Sequence, residues 1–438
     1  MLQTTAQPES GKKKVFNYAF IIALGGFLTQ FIVLGSQRLP ALTLEPIRQT
    51  LGVSYTEVGL ITSWFTVFYA GGAFVWGKMA DALGAKKTLT IAASVAAIGM
   101  ILFGLVAQYG LIIAIAVWCI AGFGNAGLFM ATLPKLIAKW FAPEKRGFGM
   151  ALVTPGGNVA SIIMGLVIPT LVAGTGWQMS FVVVGVFFAI IAVFILICVK
   201  EDPAEMGLAP YGAPAGTQVA PKPVVEERIK EEEQESKGSL LRVLKMPITW
   251  HFGIMYIIWQ IGYMITMAYC AASMTFAGFT PAEAGLGVTI GGVATIIFIQ
   301  IWGNLSDHIE RKSVIAIGSF MCAVLSIAYF FALQAAEPSL YLCWALVALI
   351  TASTGVTTAI LSAAGDCYED DIRSTGTGVI STLSIIGRYA GPVVAGFAID
   401  SMMGNVAWAY VPIAVAMVIA ALIALSLPKT RGTVAADS

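Results

Sequence analysis

Charge is what this sequence has least of. Asp, Glu, Lys and Arg make up 11% of its 438 residues, against 58% apolar ones. A soluble chain of this length needs far more charge to cover its surface, so lipid is the predicted solvent for most of it. The net charge is only +1, which excludes nucleic acid as a partner. Histidine occurs twice, and the six cysteines (Cys119, Cys198, Cys270, Cys322, Cys343 and Cys367) are scattered without a Cys-x-x-Cys. That pattern marks the cysteines as small packing residues and excludes a metal cluster, so no cofactor is expected. A cleaved leader is not expected either, because the first apolar run is long and lacks a small-residue cleavage site.

What is present is apolar length. A helix needs about 20 mostly apolar residues to cross a bilayer. Such runs lie near 16–44, 55–77, 87–107, 110–133, 147–172 and 177–199, then near 248–271, 282–302, 313–334, 339–362, 374–399 and 405–427. The expected fold is an all-α membrane protein with twelve transmembrane helices in two pseudo-symmetric six-helix bundles, residues 1–200 and 247–438. Between them, residues 201–246 form the one long polar stretch, rich in Pro, Gly and Ala and then in Glu. It reads as a flexible cytoplasmic linker. With both termini inside, 22 of the 25 basic residues fall on the cytoplasmic side. This is the distribution of a multi-pass protein of the cytoplasmic (inner) membrane.

Three basic residues break that pattern: Arg38, Arg48 and Arg388. Arg48 reads as an external surface residue. Arg38 is followed by more apolar sequence, so it either lines a cavity on the first helix or sits at the outer interface of a helix that begins at Pro40. Gln30 and Gln37 share its side by spacing. Arg388 lies about 14 residues, or on the order of 21 Å, from the cytoplasmic end of its helix, past the bilayer middle. It faces a cavity or pairs with a carbonyl, with Ser384 one turn before it. No Asp or Glu falls near the middle of any span. Intramembrane cations without a resident anion suit a negatively charged substrate, and the guanidinium fork fits a carboxylate or phosphate.

Other candidates are polar residues within spans. Tyr256, Trp259, Gln260 and Tyr263 recur at three- and four-residue intervals on the seventh helix, as a cavity wall or a packing stripe. Asn125 and Asn158 stand among glycines on the fourth and fifth. The hydroxyls of the tenth span, from Thr351 to Thr358, carry little weight because they can bond back to their own helix.

The loop Gly77-Lys78-Met79-Ala80-Asp81-Ala82-Leu83-Gly84-Ala85-Lys86 recurs half a chain later as Gly303-Asn304-Leu305-Ser306-Asp307-His308-Ile309-Glu310-Arg311. It resembles the signature loop of the major facilitator superfamily, joining helix 2 to 3 and 8 to 9. The resemblance covers nearly the whole chain and implies a secondary transporter with one central site and alternating access between rocking bundles. It also implies a gating role for Gly77, Asp81, Gly84 and Lys86, and for Gly303, Asp307 and Arg311. Within the superfamily the chain looks most like organic-anion carriers, either anion:cation symporters or monocarboxylate and oxalate/formate types. Their first-helix basic residue matches Arg38. The departures are Ala82 for a basic residue, Trp118 for an Arg on the fourth helix, Gln37 for an Asp, and Ile299-Gln300 where an eighth-helix Arg is used.

The functional expectation is therefore a carrier, not an enzyme, for a small mono- or dicarboxylate. It works as an anion exchanger or proton symporter, so a counter-anion or a proton is its second partner, and it acts as a monomer in lipid. The alternative is efflux of neutral or cationic amphiphiles.

Overall fold

The computed structural model describes residues 10–129, 132–213 and 240–428. Among them eleven helical stretches are long and apolar enough to cross a membrane. A shorter apolar helix, Leu111–Ala126, is prolonged through turns to Leu133–Trp140 and supplies the twelfth. The spans are Ser10–Ser36 with Leu39–Leu51, Tyr55–Leu83, Ala85–Val106, Leu111–Ala126 with Leu133–Trp140, Arg146–Val153 with Pro155–Thr175, and Trp177–Cys198 in the first half. The second half holds Pro247–Phe276, Pro281–His308, Arg311–Leu333, Leu340–Asp366, Arg373–Ser401 and Tyr410–Ser426. Large apolar side chains such as Phe74, Ile112 and Phe397 point outward, as a lipid-facing surface requires.

The two halves repeat each other in detail. The second and eighth spans both begin with a reciprocal capping box, Ser54 with Glu57 and Thr280 with Glu283, which satisfies amides that the helix leaves unpaired. Near their other ends, the Trp76 indole donates to the Phe123 carbonyl (2.6 Å) and the Trp302 indole to the Ala352 carbonyl (2.8 Å). Both acceptors precede the points where the fourth and tenth spans lose α geometry. Gly127 and Gly355 lie there against the two indoles, with no room for a Cβ.

Several of the long predicted runs are interrupted, among them the first, fourth, fifth and tenth, and the first matters most. Pro40 has no N–H to offer the Ser36 carbonyl, so the α ladder cannot pass. The chain turns at Gln37 and Arg38 and restarts at Leu39. Arg38 is thus not within a continuous helix. It occupies a break in the middle of the span.

The linker is also more structured at its start than its composition suggests. Val199 to Ala213 folds back on the first half through a 3-10 turn, Pro203–Met206, and paired backbone bonds between Tyr211 and Trp140–Ala142. The acidic run that follows Pro223 lies outside the described residues.

The halves meet on one side only. Among the described residues, every hydrogen bond between them lies in the part of the helices far from the signature loops. There, a Cβ on Gly59 would stand 2.6 Å from the Pro392 carbonyl, and one on Gly285 would stand 2.2 Å from the Gly165 carbonyl. Only glycine permits this approach of backbones.

Candidate functional site

Arg38 lines a cavity of about 50 Å³, room for a few waters, between the two halves. Its Nε donates to the Ser161 hydroxyl at 3.2 Å, and Nη1 lies against the Met267 sulfur of the opposite half. Asn158 and Tyr263 also line the cavity. Sequence reasoning missed the floor: Thr266, Thr295, Thr351 and Thr354. The hydroxyl run of the tenth span was the available signal, and its back-bonding hid it. Those back-bonds exist, yet all four residues line the cavity.

Arg388 marks a second place in the same central layer. It is half-buried, and its Nε is enclosed with no hydrogen-bond partner. The phenols of Tyr69 and Tyr256 both lie within its electrostatic range, and Tyr69 also approaches Gln37. Tyr256, Trp259 and Tyr263 form one wall, with Trp259 stacked on Tyr263 at 5.3 Å. That wall links the surroundings of Arg388 to the Arg38 cavity. Gln260 is buried beside Tyr256, and its Oε1 has no partner. Among the described residues neither arginine has an acidic partner. Tyr69 was not anticipated from the sequence.

Asn125, Gln30 and Ser384 are likewise absent from the cavity lining. Asn125 is fully buried and bonded to the Ala121 carbonyl and to Ser36, holding the fourth span against the break in the first. Gln30 is buried, with its Oε1 unpaired. Ser384 is buried too, donating to the Ser381 carbonyl of its own helix.

On the face that carries the signature loops, the gating residues bond within their own halves. Asp81 pairs with Lys135, and Arg311 pairs with Asp366 while Asp307 lies 4.0 Å away. Gly77 and Gly303 have open space around them. Gly84 turns the loop at φ 86° against the Glu201 carboxylate. Glu201, unforeseen, accepts from the Ala85 and Lys86 amides at the start of the third span and from the Lys139 ammonium. Burial pushes its pKa up, but Lys139 and the two amides more than reverse this, leaving it below the usual 4.5. A carboxyl depressed in the folded state lends stability that is whole above its unfolded pKa and is lost as pH falls through the folded one. Glu201→Gln should therefore lower thermal stability at neutral pH by about 1–2 kcal/mol. The gap from wild type should narrow below pH 4.5; a melting series across pH measures it.

On the opposite face the closure is direct. Asp400, ending the eleventh span, accepts from the Tyr55 amide (3.0 Å), the Thr56 amide (2.8 Å) and the Thr56 hydroxyl (2.6 Å). The carboxylate sits where the start of the second helix presents free amides and a positive dipole end. Tyr269 from the seventh span donates across the halves to the Tyr55 carbonyl at 3.4 Å, and within its own half to the Pro392 carbonyl at 3.0 Å. Arg48 is no free surface residue: it pairs with Glu45 at 2.7 Å and stacks over Tyr55. Among the described residues, hydrogen bonds join the halves on this face and none does so between the signature loops.

The model of the Major Facilitator Superfamily matches residues 26–277 and again 256–437. The chain belongs to this superfamily. It is a multi-pass membrane protein whose relatives include transporters, organic-anion carriers among them. It is 31% identical to a hexuronate transporter of Bacillus subtilis over 160 residues, 36% of this chain and 37% of that one. The stretch matched there is little over a third of the relative's length. A sialic acid transporter of Escherichia coli is 23% identical over 363 residues, 80% of both chains. The structure of a D-xylose–proton symporter superposes with a TM-score of 0.74 at 17% identity, covering 95% of this chain and 99% of that one, which speaks to the fold.

Proposed function

We propose that this facilitator carries a small organic carboxylate across the cytoplasmic membrane, with its loop face and termini in the cytoplasm. Bundles 1–200 and 247–438 rock about a central site holding Arg38 and Arg388. The supporting observation is Arg388 itself: a guanidinium half-buried in the membrane with an enclosed, unpartnered Nε. Leaving such a group unpaired is costly, and a substrate carboxylate would satisfy it during each cycle. Asn158, Gln37 and the Tyr256–Tyr263 wall would orient that substrate. Relatives named for hexuronate and sialic acid support a carboxylate, and a relative named for glycerol-3-phosphate, 25% identical over 172 residues, puts phosphates into the test. Anion exchange and proton symport both fit a layer without its own carboxylate, the proton in the second case riding on the substrate or on an acid at the membrane edge. Efflux of a cationic amphiphile would place a cation beside two uncompensated arginines, which opposes it.

A thermal-shift screen of the purified protein against carboxylates, phosphates, sugars and cationic drugs tests this reading. A ligand at 100 times its Kd should stabilise the protein by about 2.7 kcal/mol. Carboxylates alone should do so. Stabilisation only by neutral or cationic compounds would reverse the assignment.

A further inference from the structure

The polar groups around the Arg38 cavity divide by hydrogen-bonding capacity. Each threonine there has already given its proton to a backbone carbonyl: Thr266 to Gly262 (3.0 Å), Thr295 to Gly291 (2.9 Å), Thr351 to Val347 (2.9 Å) and Thr354 to Thr351 (2.7 Å). A hydroxyl that has spent its proton retains lone pairs and can only accept. Other groups lining the same cavity retain donors. Arg38 keeps unused N–H groups, and among the described residues neither the Asn158 amide nor the Tyr263 hydroxyl has a hydrogen-bond partner.

Resting on the anion reading, we infer that the cavity selects a carboxylate bearing several hydroxyl groups, its carboxylate on Arg38 and its O–H donors on the threonine floor. A plain fatty or dicarboxylic acid has no protons to give that floor. Buried against it, its methylenes would leave four acceptors unpaired, whereas hydroxyls would satisfy them. Neutral O–H donors fit better than an ammonium group, since among the described residues no carboxylate lines the cavity to balance a positive charge.

The experiment is a set of matched affinities on the full-length protein: glycerate against propionate, threonate against butyrate, and gluconate against hexanoate. Thr295→Val, Thr351→Val and Arg38→Ala are measured alongside. In at least one pair the hydroxylated anion should bind about tenfold or more tightly, from two or more added hydrogen bonds. Each Val variant should cut that preference about fivefold, the effect of one such bond, without changing affinity for the deoxy partner. Thr295→Ser and Thr351→Ser should retain it. Equal binding of both members in every pair, preference for γ-aminobutyrate over threonate, or a preference untouched by both Val variants would overturn the inference while leaving the anion reading intact. Loss of all carboxylate binding in Arg38→Ala supports that reading separately. If no carboxylate binds wild type, both fall.

Discussion

A disulfide or short bis-thiol bridge between Thr56→Cys and Asp400→Cys should stop transport, and reduction should restore it. Wild-type Thr56 and Asp400 are in direct side-chain contact across the two halves. Alternating access requires this face to open once per cycle, so a covalent bond here holds the transporter in the one conformation. Oxidised single-cysteine variants, in a background with the six native cysteines replaced by Ser, should keep transporting. Undiminished uptake by a bridged protein would mean that this seam does not open. The milder change, Asp400→Asn, acts on the equilibrium rather than the path. It replaces a charge-assisted acceptor at a helix start with a neutral one, and such bonds contribute about 1.5–3 kcal/mol each to the closed form. Native Cys270, buried beside the Arg38 cavity, reports the result. Its reaction with an impermeant maleimide applied from the Asp400 side should speed up about tenfold for each 1.4 kcal/mol lost.

Arg388→Ala and Arg38→Ala should each abolish carboxylate transport while leaving expression and folding near wild type. Truncating one member of a buried charge pair costs about 2–5 kcal/mol, so affinity should fall at least about thirtyfold. The two need not fail alike. Arg38 rests on Ser161 and Met267 in the cavity, and its replacement removes a contact between halves as well as a binding group. Arg388 touches no acid and no recorded acceptor at Nε, so its loss should fall on substrate alone. Lysine restores the charge without the planar fork and should recover only part of the function. Normal transport in Arg388→Ala would remove that residue from the site.

Much of this molecule could be read before its structure. Twelve apolar runs, one polar interruption and a duplicated Gly-x-x-x-Asp loop carry the fold, because membrane crossing is a requirement of length and composition that each segment meets alone. The breaks were less legible. Pro40 announced the first, but the fourth and tenth spans yield where Trp76 and Trp302 press on Gly127 and Gly355, a contact between residues some fifty positions apart. The arginines stood out because isolated charge in lipid is costly. The threonine floor did not, since a hydroxyl bonded to its own helix looks the same in sequence whether its oxygen faces a neighbour or a cavity. Asp400 and Glu201 lie at helix ends, where acids are ordinary. Their importance comes from the partner helix whose first amides they cap, and only the packing reveals which one that is.

Counterflow in proteoliposomes tests the central claim most directly, because it needs no knowledge of the coupling ion. Vesicles preloaded with an unlabelled hydroxylated carboxylate and diluted into a trace of the same labelled anion should accumulate label transiently. Vesicles carrying Arg38→Ala or Arg388→Ala should not. Failure of every carboxylate to exchange, with a cationic amphiphile moving equally well through wild type and both variants, would contradict the account.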